Sequence, residues 1–115
     1  MDSPLVWAEV NLEAIAHNVS ELRGITNPKA RLMAVVKANA YGHGMIEVAR
    51  RVLENGADSM GVARIEEGIE LRKAGFNESV LIFGYTPPAL AHKLIGFDLT
   101  QTVWSYNTAQ ALSDV

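Results

Sequence analysis

The chain has 115 residues, 49% of them hydrophobic and 20% charged, with a formal net charge of −3 and no cysteine. That is enough for one globular domain with its own core, while the lack of cysteine excludes disulfides, thiolate nucleophiles and thiolate metal ligands. The mildly negative balance, with no dense Lys/Arg cluster, argues against nucleic acid or an anionic membrane surface as partner.

The N-terminus, MDSPLVWAEV, lacks a basic stretch followed by a long apolar one, and no segment approaches the ~20 apolar residues of a membrane span. A cytoplasmic location is expected. After a short apolar segment, LVWAEVNL, residues Leu12, Ile15, Ala16, Val19 and Leu22 recur at helical spacing behind Asn11, a good N-cap. RLMAVVK then reads as an apolar strand. MIEVARRVLENG reads as a helix with Ile46, Ala49, Val52 and Leu53 on one face and Gly56 as its stop.

The alternation continues with strand SMGVAR, helix IEEGIELRKAG and strand SVLIFGY. A helix PALAHKLIG opened by Pro87-Pro88, a strand TQTVWS and a helix start at NTAQALSDV follow. Gly56-Ala57-Asp58, Gly75-Phe76-Asn77 and Gly96-Phe97-Asp98 repeat one pattern, a glycine suited to positive φ after each helix. Strands at about 31–37, 59–64, 80–85 and 100–105, separated by helices and without hairpin signals, predict a parallel sheet covered by helices. The rhythm of roughly 20 to 27 residues per unit favours a parallel (β/α)8 TIM barrel over a doubly wound sheet. Closing eight strands takes on the order of 200 residues, so the chain is expected to hold the N-terminal half only.

In such folds ligands sit where the strands end and the βα loops begin. The strand of AVVKANAYGHG ends on Lys37, whose amine, when poorly solvated, condenses with aldehydes; pyridoxal phosphate is the usual carbonyl partner. Ala38, Asn39 and Ala40 leave room for a flat ring, Tyr41 offers a hydroxyl to a phosphate oxygen, and Gly42 and Gly44 permit close backbone approach. A dinucleotide fingerprint fits worse, because Glu47 stands at the third glycine position and Arg64 where a ribose-binding acid is wanted.

AVVKANAYGHG resembles the pyridoxal-phosphate lysine motif of the alanine racemases, and WAEVNLEAIAHNV and GADSMGVARIEEGIELRKAG resemble the same family. The resemblance covers essentially the whole chain. It implies that residues 1–115 are the N-terminal part of the pyridoxal 5'-phosphate-binding barrel domain of a homodimeric enzyme with a mostly β C-terminal domain. That enzyme would interconvert L- and D-alanine and so supply D-alanine for peptidoglycan. By the same resemblance Lys37 is the Schiff-base lysine and one of two acid/base groups, Tyr41 contacts the cofactor phosphate, and Phe83 lines the cofactor pocket at a position often held by leucine. The second base, a tyrosine of the partner subunit's C-terminal domain in that family, has no counterpart among these residues. The 115 residues alone are therefore expected to be inactive. A decarboxylase of the same barrel type, a cofactor-carrier protein and a non-enzymatic binding module are the competing readings, and serine or broader racemisation stays open.

His17 and His92 read as surface or half-buried helix residues, and His43 as a loop-ordering residue or an indirect contact to the site. With no cluster at metal spacing, no metal is expected. Glu66, Glu67 and Glu70 read as a solvated, dipole-compensating helix start. Trp7 and Trp104 read as core or interface fillers.

Overall fold

The computed structural model describes residues 3–115. Helix α1 (Leu12–Ile25) begins where expected, with the Asn11 side chain accepting from the Ala14 N–H at 3.0 Å. Strand β1 (Met33–Val35) leads through Val36 into a short helical turn, α2 (Lys37–Tyr41), and then α3 (Met45–Glu54). The repeat continues with β2 (Ser59–Val62), α4 (Ile65–Lys73) and β3 (Ser79–Ile82). A 3-10 turn over Pro88–Leu90 runs into α5 (Ala91–Gly96), followed by β4 (Thr100–Gln101) and α6 (Tyr106–Ser113).

All neighbouring strands pair in parallel, in the order β1-β2-β3-β4. A doubly wound sheet reverses its strand order at a switch point and carries helices on both faces. Here the order never reverses and one face is covered. Val36, Met60, Val62, Val80 and Ile82 are buried against Val48, Ala49 and Val52 of α3, Ile65 and Leu71 of α4, and Leu94 of α5. The opposite face carries Met33 and Val35, 38% and 40% exposed, and the half-buried Leu81. Sequential parallel strands with one helical layer are the N-terminal half of a (β/α)8 barrel, with the uncovered face on the inside.

The end of the sheet away from the βα loops is held by two arginines. Arg72 of α4 donates to Phe97 O through Nε at 2.7 Å, and to Phe76 O (3.0 Å), Glu78 O (2.7 Å) and Asp98 O (2.8 Å) through its Nη atoms. Arg23 of α1 donates to Asn27 O and Ala30 O, both at 2.9 Å, and to the Asp58 carboxylate at 3.1 Å, which in turn accepts from the Leu32 N–H. Gly56, at φ +122°, gives Arg23 its path: a Cβ there would lie 2.7 Å from Arg23 Cγ.

Three expectations need correction. Strands β1, β2 and β3 end at Val35, Val62 and Ile82, two to three residues short of the expected ends, so that Lys37 opens the turn after β1 rather than closing the strand, and β4 is two residues long rather than the six of 100–105. Thr102 still donates to Ile82 O, but Phe83 and Gly84 bond back to Val62 and Ala63, and the chain then leaves the sheet, so residues beyond 102 find no ladder on that side. Of the three loop glycines, Gly56 and Gly75 take positive φ, whereas Gly96 is helical and Asp98, at φ 53°, makes the reversal instead. Trp7 and Trp104, read as core or interface fillers, are exposed, which overturns the core alternative alone.

Arg72→Met removes one side chain's bonds to four carbonyl oxygens that join two loops. It is expected to lower stability by about 2 kcal/mol, read as a shifted urea midpoint at unchanged slope.

Candidate active site

The segment after β1 is wound the wrong way for L-amino acids. Ala38, Asn39, Ala40 and Tyr41 all have φ between 51° and 56°, with ψ of 43° to 48° at the first three, so α2 is a single left-handed turn. Each such residue costs roughly 1–2 kcal/mol, so the four together cost on the order of 4–8 kcal/mol, less whatever Asn39 tolerates. Ala40 N–H donates to Val36 O at 2.9 Å, and Gly44 N–H to Asn39 O at 2.9 Å. The Asn39 side chain accepts from the Met45 N–H at 2.9 Å and so serves the start of α3. Gly42 and Gly44, at φ 92° and 96°, return the chain to a right-handed helix. The small residues of KANAYGHG thus answer first to the backbone, where a Cβ is already crowded.

Lys37 stands at the head of this turn, half-buried, at the C-terminal end of β1. It stands two residues beyond Val35, which is on the inner face of the sheet, and Val36 between them has left extended geometry at ψ 20°. Phe83 stands just past the end of β3 on the same face. Its ring lies over Gly61, so that a Cβ at Gly61 would collide with the ring and approach Met33 Sδ to 3.0 Å. Gly61 is the register partner of Val35, two residues before the lysine. The fold therefore brings Lys37 and Phe83 to one end of the inner face. Tyr41 lies at the far end of the turn with its side chain exposed.

His43 Nδ1 is 2.8 Å from Ala40 O, a bond that orders the loop. His17 and His92 are exposed on α1 and α5. Of the three glutamates, Glu66 and Glu70 are exposed as expected, but Glu67 is not a free solvated residue. Its Oε1 accepts from the Ala63 N–H (2.7 Å) and the Arg64 N–H (3.0 Å), and its Oε2 accepts from the Ala38 N–H at 2.7 Å. Sequence reading missed this residue. The one available signal was a glutamate at the third position of a helix that follows a strand, where a side chain turns back to the cap. Its second partner, 29 residues upstream, leaves no local trace.

These residues fit an aromatic aldehyde cofactor. Among the described residues Lys37 is in no ion pair, which leaves its amine available, and the Phe83 ring over Gly61 is an apolar wall against which a flat ring can rest.

Residues 10–115 match the family model described as alanine racemase, N-terminal domain. The alanine racemase of Methanococcus maripaludis is 49% identical over all 115 residues, which cover 31% of its length. The crystal structure of alanine racemase from E. faecalis superposes with a TM-score of 0.88 at 36% identity, over 90% of this chain and 28% of that one. A histidine racemase from Leuconostoc mesenteroides has the same fold, with a TM-score of 0.82 at 28% identity over 90% of this chain and 27% of its own. The chain thus spans about a third of the length of such relatives. With the half-barrel, the lysine at its mouth and a match over nearly every residue in agreement, the chain belongs to the alanine racemase N-terminal domain family.

Proposed function

We propose that Lys37 is the covalent anchor of pyridoxal 5'-phosphate in an enzyme that interconverts L- and D-alanine. Residues 1–115 are then the N-terminal part of its cofactor-binding barrel domain. One observation carries the reading furthest: a half-buried lysine, in no ion pair among the described residues, just past the C-terminal end of an inner barrel strand and followed by a left-handed turn, in a chain of this family.

Abstraction of an amino acid's α-proton is slow because the electron pair left behind has no place to go. Bound pyridoxal phosphate supplies a conjugated sink for that charge. The protein's part is to hold and move protons. Lys37 Nζ, released once the substrate's amino group takes its place on the cofactor, would take or return the α-proton on one face of the substrate, and its place at a strand end would confine it to that face. The Tyr41 hydroxyl would hold the cofactor's phosphate, a charge-assisted bond that would help retain it. Phe83 would form one apolar wall for the cofactor ring. Inversion demands a second donor/acceptor on the opposite face, and that group comes from outside these residues, from the partner subunit of a homodimer. The product, D-alanine, suits a cytoplasmic enzyme feeding peptidoglycan synthesis.

A broader amino-acid racemase is the second reading, supported by the likeness to the histidine racemase. The barrel half described here carries the anchor, so substrate choice rests with residues elsewhere.

Borohydride treatment of the cofactor-loaded enzyme is expected to leave a stable pyridoxyl mass on the peptide that contains Lys37. Lys37→Ala is expected to abolish that mass and to lower racemisation by about 10³-fold or more; the mass on a different lysine overturns the assignment. Tyr41→Phe is expected to weaken cofactor retention about tenfold, the loss of one charge-assisted bond, measured by equilibrium dialysis. A polypeptide of residues 1–115 by itself is expected to racemise alanine no faster than free cofactor does, as chiral chromatography will reveal.

A further inference from the structure

We propose that Glu67 is a positioning residue for the lysine: its carboxylate holds the left-handed turn in place and thereby sets the direction in which Lys37 leaves the strand. This rests on the reading of Lys37 as cofactor anchor and extends it to a residue on a different βα unit.

The geometry divides the carboxylate between two tasks. Oε1 takes the N–H groups of Ala63 and Arg64, the last residues before α4, in the manner of a capping-box glutamate. Oε2 takes the N–H of Ala38, the first left-handed residue and the neighbour of Lys37. Among the described residues, every other hydrogen bond made by residues 38–43 stays within the segment 36–45. The carboxylate is therefore the polar tie between the turn and the rest of the barrel mouth. An ionised carboxylate accepts only, and all three of its partners are backbone donors.

The competing conformation is clear from the sequence. Lys-Ala-Asn-Ala-Tyr would wind right-handed if free, since alanine is the strongest right-handed helix former and each left-handed residue is strained. Rewinding would turn the peptide on the C-terminal side of Lys37 and with it the backbone from which the side chain departs. Glu67 opposes this by pinning the Lys37–Ala38 peptide, whose N–H it holds, at the point where the left-handed turn begins. Glu66, exposed on the same helical turn, has no such contact and serves as control.

Glu67→Gln separates the two tasks. The amide oxygen can still accept from Ala63 and Arg64, but the NH2 group then faces the Ala38 N–H, donor against donor. In the full-length enzyme this variant is expected to speed hydrogen exchange at the Ala38 amide at least tenfold. Cofactor retention and borohydride capture at Lys37 are expected to fall about tenfold, with a thermal midpoint within a few degrees of wild type. Glu66→Gln is expected to change none of these.

The decisive arm is rescue. Ala38→Gly, which removes strain at the first left-handed residue, is expected to restore at least half of the lost capture in the Glu67→Gln background. A Glu67→Gln enzyme with a lower thermal midpoint but unaltered Ala38 exchange and unaltered capture would reduce Glu67 to a helix cap and overturn the proposal, as would failure of Ala38→Gly to rescue. If the wild-type enzyme takes up no cofactor at Lys37, the anchor reading fails, and the exchange measurement still decides whether Glu67 holds the turn.

Discussion

The arrangement depends on a conformational conflict at the end of β1. Four consecutive residues after the lysine adopt a helical hand that their side chains disfavour, and the strain persists because the surroundings leave no better choice. Val36 below is locked in the core and donates to Gly61 O. Asn39 and the two glycines above deliver the chain to α3 in the one direction that buries Met45, Val48, Ala49 and Val52. Glu67 takes the amide of Ala38, where the reversed turn begins. Strand end and helix start are both fixed by packing, and the turn between them bends to suit. Strained backbone at such a position is a feature of sites in which a reacting atom must be aimed.

Barrel architecture explains why the aim can be accurate. Strands fixed in register by a fully buried outer face act as rigid rails, and side chains of one parity reach the inside at the same height on neighbouring strands. Phe83 over Gly61, and Gly61 beside Val35, are successive steps of that ladder. The absence of a side chain at Gly61 is what lets a large ring lie across the inner face without forcing the strands apart.

Much of this was legible in the sequence, for identifiable reasons. Helices announced themselves by period and cap, Asn11 most plainly, and the parallel sheet followed from strands that never meet in a hairpin. The lysine string was recognisable residue by residue. What escaped were features set by partners far along the chain. The length of β4 depends on where β3 departs from the sheet, and the helical state of Gly96 on a reversal displaced to Asp98. Local propensity pointed the other way for Lys37–Tyr41, because two alanines argue for an ordinary helix and only Asn39 and the flanking glycines hint otherwise. Glu67 looked like any solvated glutamate because its carboxylate's most informative partner belongs to another repeat.

The two arginines have a consequence of their own. Arg23 and Arg72 stitch the connecting loops at the end of the sheet away from the lysine, each gathering backbone carbonyls from separate stretches of chain. Cohesion is thus concentrated at one pole and the proposed anchor stands at the other, with rigid strands between them. Such a division lets the loops around the lysine diverge over evolutionary time, toward new substrates, while the opposite pole keeps the scaffold whole.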